Sequence, residues 1–442
     1  MTVETLRNDL LLMALFMLFG FFIREKVKLF QKLFLPSSLI GGLLLLILGQ
    51  QGVGFLTVPE SFNKIPGALT GIVLASLVFG VRINKEKIRS YLDYSFITMT
   101  TYGMQMGLGV LLGFLFQKIW PGLPDSWGVM GVFAFHGGHG TAAAAGAEFS
   151  KYGTPQNMAV GMVLSTFGLI VAMAVGMAVV NFGIRRGWGT YIKEPSKQPA
   201  YFYSGALPEE KRKSIGKLVT APISINHLAL QFSWLLAAFL LGKTIFEFLG
   251  KYIAFFAILP DVVYGIIGGA LLWQLIRLSK LEDYVDVNTI KLISSFLLEL
   301  IVFSAIATLD LEFVSVYILP ILIYTVILCA LSICIILVLS KKLLAHEWFE
   351  KACMAIGAAT GNTSTGLALV RAIDPESKSS AGDTHGIYST IMSWKDIFTG
   401  LTPLWLSGGI ILTMGVGFGI MAISLLLAIL FAERKIKREK NR

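Results

Sequence analysis

Eleven apolar runs, each long enough to cross a bilayer as a helix, take up most of the 442 residues and settle which solvent the chain folds in. A spanning helix needs about 20 predominantly apolar residues. The runs lie at 7–23, 33–51, 65–81, 94–116, 155–184, 225–248, 252–278, 289–309, 313–340, 385–406 and 408–432. Charged residues make up 14% of the chain and hydrophobic ones 55%. A soluble domain carries about 25% charged residues, so the chain is expected to be an all-α polytopic membrane protein. In the first run, the apolar stretch Leu10 to Ile23 follows Asp9 and precedes Arg24, Lys26, Lys28 and Lys32, the reverse of the charge order in a signal peptide, so it reads as a retained helix.

Charge then orients the spans, because loops that stay in the cytoplasm keep Lys and Arg near the helix ends. With the N-terminus outside, 30 of the 37 basic residues fall on the cytoplasmic side, including the tail from Arg434 to Arg442. This asymmetry explains the net charge of +10 without nucleic acid, and it requires an odd number of spans. The expected setting is the cell inner (plasma) membrane, with the C-terminus cytoplasmic. Cys329, Cys334 and Cys353 have no metal-ligand spacing, so neither a disulfide framework nor a transition-metal site is expected.

The two halves match when the sequence is shifted by about 223 residues. Pro36, followed by a glycine pair at Gly41 and Gly42, then finds Pro260, followed by a glycine pair at Gly268 and Gly269, and Gly138 lies on Gly361. An odd number of spans separates matching elements, so the second half is inverted. The expected fold is two inverted-topology repeats of five transmembrane helices, each with a re-entrant hairpin, plus an extra C-terminal helix. The divisions are 1–184 (hairpin about 127–150), a cytoplasmic linker at 185–222 rich in charge and proline, 223–406 (hairpin about 348–373), and 407–442. Inverted repeats with interrupted helices at the midplane are a secondary-transporter design.

The hairpin segments FAFHGGHGTAAAAGAEF and GAATGNTSTGLALVRAID are too rich in glycine and polar residues for lipid-facing helices. Non-helical backbone at membrane depth persists only where protein or water surrounds it. Helix N-termini there attract carboxylates, and carbonyls with Thr or Ser hydroxyls suit a hard cation such as sodium. Candidate substrate ligands are therefore Gly137, Gly138, His139, Gly140 and Thr141 on the first hairpin, with Gly361, Asn362, Thr363, Ser364 and Thr365 on the second. Arg371 could fork onto a dicarboxylate or pair with Asp374 on the surface. Candidate sodium ligands are Thr141, Ser165, Thr166, Thr363, Ser364 and Asp396. An intramembrane charge such as Asp396, beside Lys395, is a functional candidate by default. The bland readings are close helix packing for the glycines, backbone-bonded hydroxyls for Ser165 and Thr166, and a structural role for His139.

The run GGHGTAAAAG, followed by FSKYG and then MVLSTFGLI, resembles the sodium/glutamate symporter family. The likeness extends over most of the chain, and the second half departs from the family at GAATGNTSTGLALVRAIDP and in the extra C-terminal span. It implies a homodimer, elevator-type alternating access, and sodium-coupled symport of glutamate or a related small anionic amino acid or carboxylate, with Na+ as coupling ion and no cofactor. The rival readings are a proton-coupled carrier or exporter of another organic anion, and a passive anion channel. The spans contain no HExxH, no GxSxG and no paired catalytic carboxylates, so no enzyme is expected. A reporter fused after Arg442 should therefore give a cytoplasmic signal, and a periplasmic signal there would remove the eleventh span.

Overall fold

The computed structural model describes residues 3–33, 35–80, 85–191, 209, 216–219, 224–257, 259–374 and 378–440. Most of the linker expected at 185–222 lies outside the described residues. Among the described residues there are helices and no strand. The first half contains α1 (Val3–Lys26), α2 (Lys28–Lys32), α3 (Ser37–Leu48), α4 (Ile65–Ala75), α5 (Lys85–Gln117), α6 (Met130–Lys151) and α7 (Gln156–Arg185). The second contains α8 (His227–Gly250), α9 (Ala254–Ala257), α10 (Asp261–Leu278), α11 (Val287–Ala307), α12 (Leu311–Leu343), α13 (Trp348–Thr360), α14 (Thr363–Ile373), α15 (Ala381–Ile391), α16 (Phe398–Ser407) and α17 (Ile410–Lys440).

Eight of these helices are long and apolar enough to cross a membrane: α1, α5, α7, α8, α10, α11, α12 and α17. The other three expected runs depart from single long helices. The run at 33–51 becomes the 12-residue α3, bounded by Pro36 and Gly49. The run at 65–81 becomes the 11-residue α4, which tightens into a 3-10 turn at Ser76–Val78. The run at 385–406 is divided into α15 and α16 by a 3-10 stretch, Ser393–Ile397, that carries Lys395 and Asp396. Side chains close several helix starts: Asp286 caps α11 by accepting from Thr289 N at 3.0 Å, and Asp310 caps α12 by accepting from Phe313 N at 2.9 Å.

One group of helices is packed backbone to backbone. A methyl on Gly20 of α1 would lie 2.2 Å from Ser37 O, and one on Gly42 of α3 would lie 2.8 Å from Phe303 O of α11. In the second half, a methyl on Gly242 of α8 would lie 2.0 Å from Tyr264 O, and one on Gly265 of α10 would lie 1.9 Å from Gly71 O of α4. Small residues let helix backbones approach this closely where the surroundings are lipid. Each half thus joins its first helix to its proline-headed helix, which in turn packs on a helix of the other half. Ser76 and Ser294 close the centre of this group with a 2.9 Å hydrogen bond.

α5, α7, α12, α15 and α16 pack around α6, α13 and α14. Every residue of α13 from Phe349 to Thr360 is buried, as is most of α6, and Gly138 and Gly361 at their turns are buried too. Asn157 at the start of α7 donates to Ser126 Oγ at 2.5 Å, bringing the chain before α6 next to the chain after it. Gly357 of α13 packs on the backbone of Gly366 of α14, and Glu347 before α13 accepts from Ser380 N at 2.9 Å. α17 lies along α5, with a methyl on Gly107 blocked by Phe418 and one on Gly417 blocked by Gly107 N at 2.3 Å.

Glu347 ties the start of α13 to Ser380 at the start of α15. Burial alone would raise its carboxyl, but hydrogen bonds from Ser380 and Tyr191, with Lys351 nearby, outweigh burial and lower it. A lowered carboxylate adds stability that is complete above the ordinary Glu range and is lost as pH falls through the lowered value. The melting temperature of detergent-solubilised protein should therefore exceed that of Glu347→Gln at neutral pH, and the gap should close on acidification. A gap that is constant with pH would refute this.

Candidate functional site

The site begins at Gly138, where α6 is interrupted with φ 65° and ψ −158°. That backbone conformation is open to glycine and strained for residues with a Cβ. The second interruption separates α13 from α14 at Gly361 (φ −138°, ψ −88°), which is neither helical nor extended, and Asn362 (φ −163°, ψ 178°), which is extended. The two interruptions meet: a methyl on Gly138 would stand 3.5 Å from Gly361 O and 3.6 Å from Asn362 Cβ.

The N-terminus of α14 is finished by a capping box. Asn362 Oδ1 accepts from Thr365 N at 2.9 Å, and Thr365 Oγ1 accepts from Asn362 N at 3.0 Å. Thr365 is buried and also donates toward Gly357 O at 2.8 Å, so its hydroxyl is engaged in holding the turn. Thr363 and Ser364, the first two residues of the helix, are exposed. Their amides belong to the set that an α-helix leaves without intrahelical partners.

Other candidates are placed differently. His139 lies just past the first interruption, with Nε2 2.9 Å from Thr166 Oγ1 of α7. The Thr166 hydroxyl donates to Met162 O at 2.9 Å, and Ser165 donates to Gly161 O at 2.8 Å. A methyl on Gly140 would meet Leu298 of α11 at 2.4 Å, so this glycine serves close packing. Thr141 is half-buried and folded against Gly137: a methyl there would lie 1.8 Å from Thr141 Oγ1. Arg371 is exposed in the last turn of α14, about 12 Å along the helix from Thr363 at 1.5 Å per residue.

A second layer of polar groups adjoins the tips. Asp396 Oδ1 is 2.9 Å from Lys395 Nζ, and Lys395 sits 5.8 Å from the centre of the Tyr102 ring. Tyr102 stands edge-on to His136 at 5.2 Å, and His136 Nε2 is buried without a hydrogen-bond partner among the described residues. A buried orphan of this kind marks a place for water or a ligand. His385 on α15 approaches Thr363 Oγ1 at 3.4 Å and the Tyr94 hydroxyl at 2.9 Å. Among the described residues, no group of three or more His, Cys, Asp or Glu side chains could hold a metal ion.

Sequence reasoning placed Lys395 beside Asp396 without assigning it to the site, it did not assign His136, and it missed His385, Tyr94 and Tyr102. The available signals were an imidazole inside an apolar span and the spacing of Tyr94 and Tyr102, which puts both on one face of α5.

The sequence profile of the sodium/glutamate symporters matches residues 2–373. The chain belongs to the sodium/glutamate symporter family. Comparison with individual curated proteins returns no match. Within this transporter family, both interruptions of the chain lie in the matched region, and α15 to α17, with His385, Lys395 and Asp396, lie beyond it.

Gly138→Ala should lower the detergent melting temperature, since a side chain in this backbone region costs about 1–3 kcal/mol, and it should abolish ligand-dependent transport. An unchanged melting temperature would mean that the observed backbone turn does not persist in solution.

Proposed function

We propose that the protein carries out sodium-coupled uptake of glutamate or a related small anionic amino acid or carboxylate, bound where the two interrupted segments meet. The observation that carries this reading is the contact of Gly138 with Gly361 and Asn362. It brings the start of α14, with exposed Thr363 and Ser364, to the point where the chain turns in α6. The orphan amides of that helix start suit a carboxylate, and hydroxyls with exposed carbonyls suit sodium. The Gly140–Leu298 contact and the backbone-bonded Ser165 and Thr166 hydroxyls favour structural roles for those three, leaving Thr141, Thr363, Ser364 and Asp396 as ion candidates.

The interrupted segments are read as re-entrant hairpins and the halves as inverted repeats. Gly42 and Gly265, 223 positions apart, support this, since each holds its proline-headed helix against the opposite half. The glycine-packed group of α1, α3, α4, α8, α10 and α11 would be the static scaffold. The helices around the tips would be the body that moves in an elevator-type cycle within a homodimer of the inner membrane, with the N-terminus outside. The buried imidazoles His139 and His385, with the half-buried His136, favour proton coupling as the second reading.

Energetics favour more than one sodium ion per substrate. At a tenfold gradient and 100 mV, each sodium contributes about 1.4 kcal/mol chemically and about 2.3 kcal/mol electrically, and a monoanion loses about 2.3 kcal/mol to the same potential. One sodium would leave only about tenfold accumulation. Proteoliposomes should take up labelled glutamate only with an inward sodium gradient, faster under an inside-negative potassium–valinomycin potential, and Thr141→Val should raise the half-saturating sodium concentration. Uptake driven by a proton gradient without sodium would select the second reading, and indifference to potential would contradict the stoichiometry.

A further inference from the structure

Each tip is tied to a neighbouring helix by a single imidazole–hydroxyl contact, and the two partners are exchanged between the halves. In the first half the histidine is on the tip, His139, and the threonine is on the helix, Thr166 of α7. In the second half the threonine is on the tip, Thr363, and the histidine is on the helix, His385 of α15. His139 and Thr363 are 224 positions apart, and Thr166 and His385 are 219 apart, close to the offset that relates the halves. The same strut is built twice with its ends swapped.

The two struts differ in what they leave free. The Thr166 hydroxyl already donates to Met162 O, so it can only accept from His139, and His139 is itself buried. This strut is closed. In the other, the imidazole is fixed: His385 is 4% exposed, its Nδ1 lies 2.9 Å from the Tyr94 hydroxyl, and its ring packs on Tyr94 and Tyr388. Thr363 is exposed, and its 3.4 Å contact is at the long end for a hydrogen bond. With the hydrogen on Nε2, Tyr94 donates to Nδ1 and His385 donates to Thr363 Oγ1. The Thr363 hydrogen is then turned to a ligand.

We propose that His385 is a positioning residue that, with Tyr94 behind it, holds the Thr363 hydroxyl so that its hydrogen meets a substrate carboxylate at the start of α14, while His139–Thr166 is a static tie. This rests on the binding site proposed above. His385 acts through Thr363, so removing both should do no more than removing Thr363.

The test is sodium-driven glutamate uptake in proteoliposomes for Thr363→Val, His385→Ala, His385→Gln, His139→Ala and the double variant Thr363→Val with His385→Ala. Amide hydrogen exchange of residues 361–365 is measured on the same detergent-solubilised proteins. Losing one hydrogen bond to a charged ligand should raise KM roughly tenfold. That rise is expected for Thr363→Val and His385→Ala, with kcat within about twofold and the double variant no worse than Thr363→Val alone. His385→Gln, which keeps an N–H donor, should recover part of the loss. Exchange at 361–365 should quicken in His385→Ala and stay unchanged in His139→Ala. Additive losses in the double variant, or a fall in kcat alone, would overturn the assignment. If the wild-type protein takes up no glutamate, the functional reading fails separately, and the exchange comparison still decides whether His385 holds the tip: equal rates in His385→Ala and wild type would overturn it.

Discussion

A peptide group inside a bilayer has no water to bond with, so backbone can leave the helix at membrane depth only where other protein surrounds it. That requirement organises this molecule. Its two interruptions, at Gly138 and at Gly361–Asn362, sit on segments that are almost wholly buried, and the second is completed by a capping box that returns two backbone amides to side-chain oxygens. The long apolar helices shield these turns from lipid.

The glycines divide into two kinds of work. At Gly20, Gly42, Gly242 and Gly265 the missing side chain lets one helix backbone rest on another, drawing six helices into a single block. At Gly138 it permits a turn that other residues resist. The first kind joins helices and the second breaks one, so a carrier built this way has its polar surface where the helix is interrupted.

Much of this was legible in the sequence. The density of apolar runs required a membrane protein, and GGHG and GNTST, too polar for lipid and matched across the halves, marked the two interruptions. Contacts between distant positions were not legible. Gly140 reads like its neighbours, yet it faces Leu298 on a helix of the other half. Thr365 looks like a ligand hydroxyl in a row of hydroxyls, and only the conformation of Asn362 turns it into a cap. His385 marked the start of a span by hydropathy, and its approach to Thr363 depends on the division of that span into α15 and α16. Periodicity reports which face of a helix is apolar, and it carries no information on which remote side chain that face meets.

The two interruptions also differ in how they can change over generations. Gly138 sits in backbone closed to other residues, whereas at Gly361 an added methyl would press on Thr365 Oγ1 of the cap at 2.7 Å. Drift at the first tip meets a conformational wall, and drift at the second meets the cap that Asn362 and Thr365 form. A lineage using this architecture can therefore keep both turns and diversify what it recognises through the exposed Thr363 and Ser364.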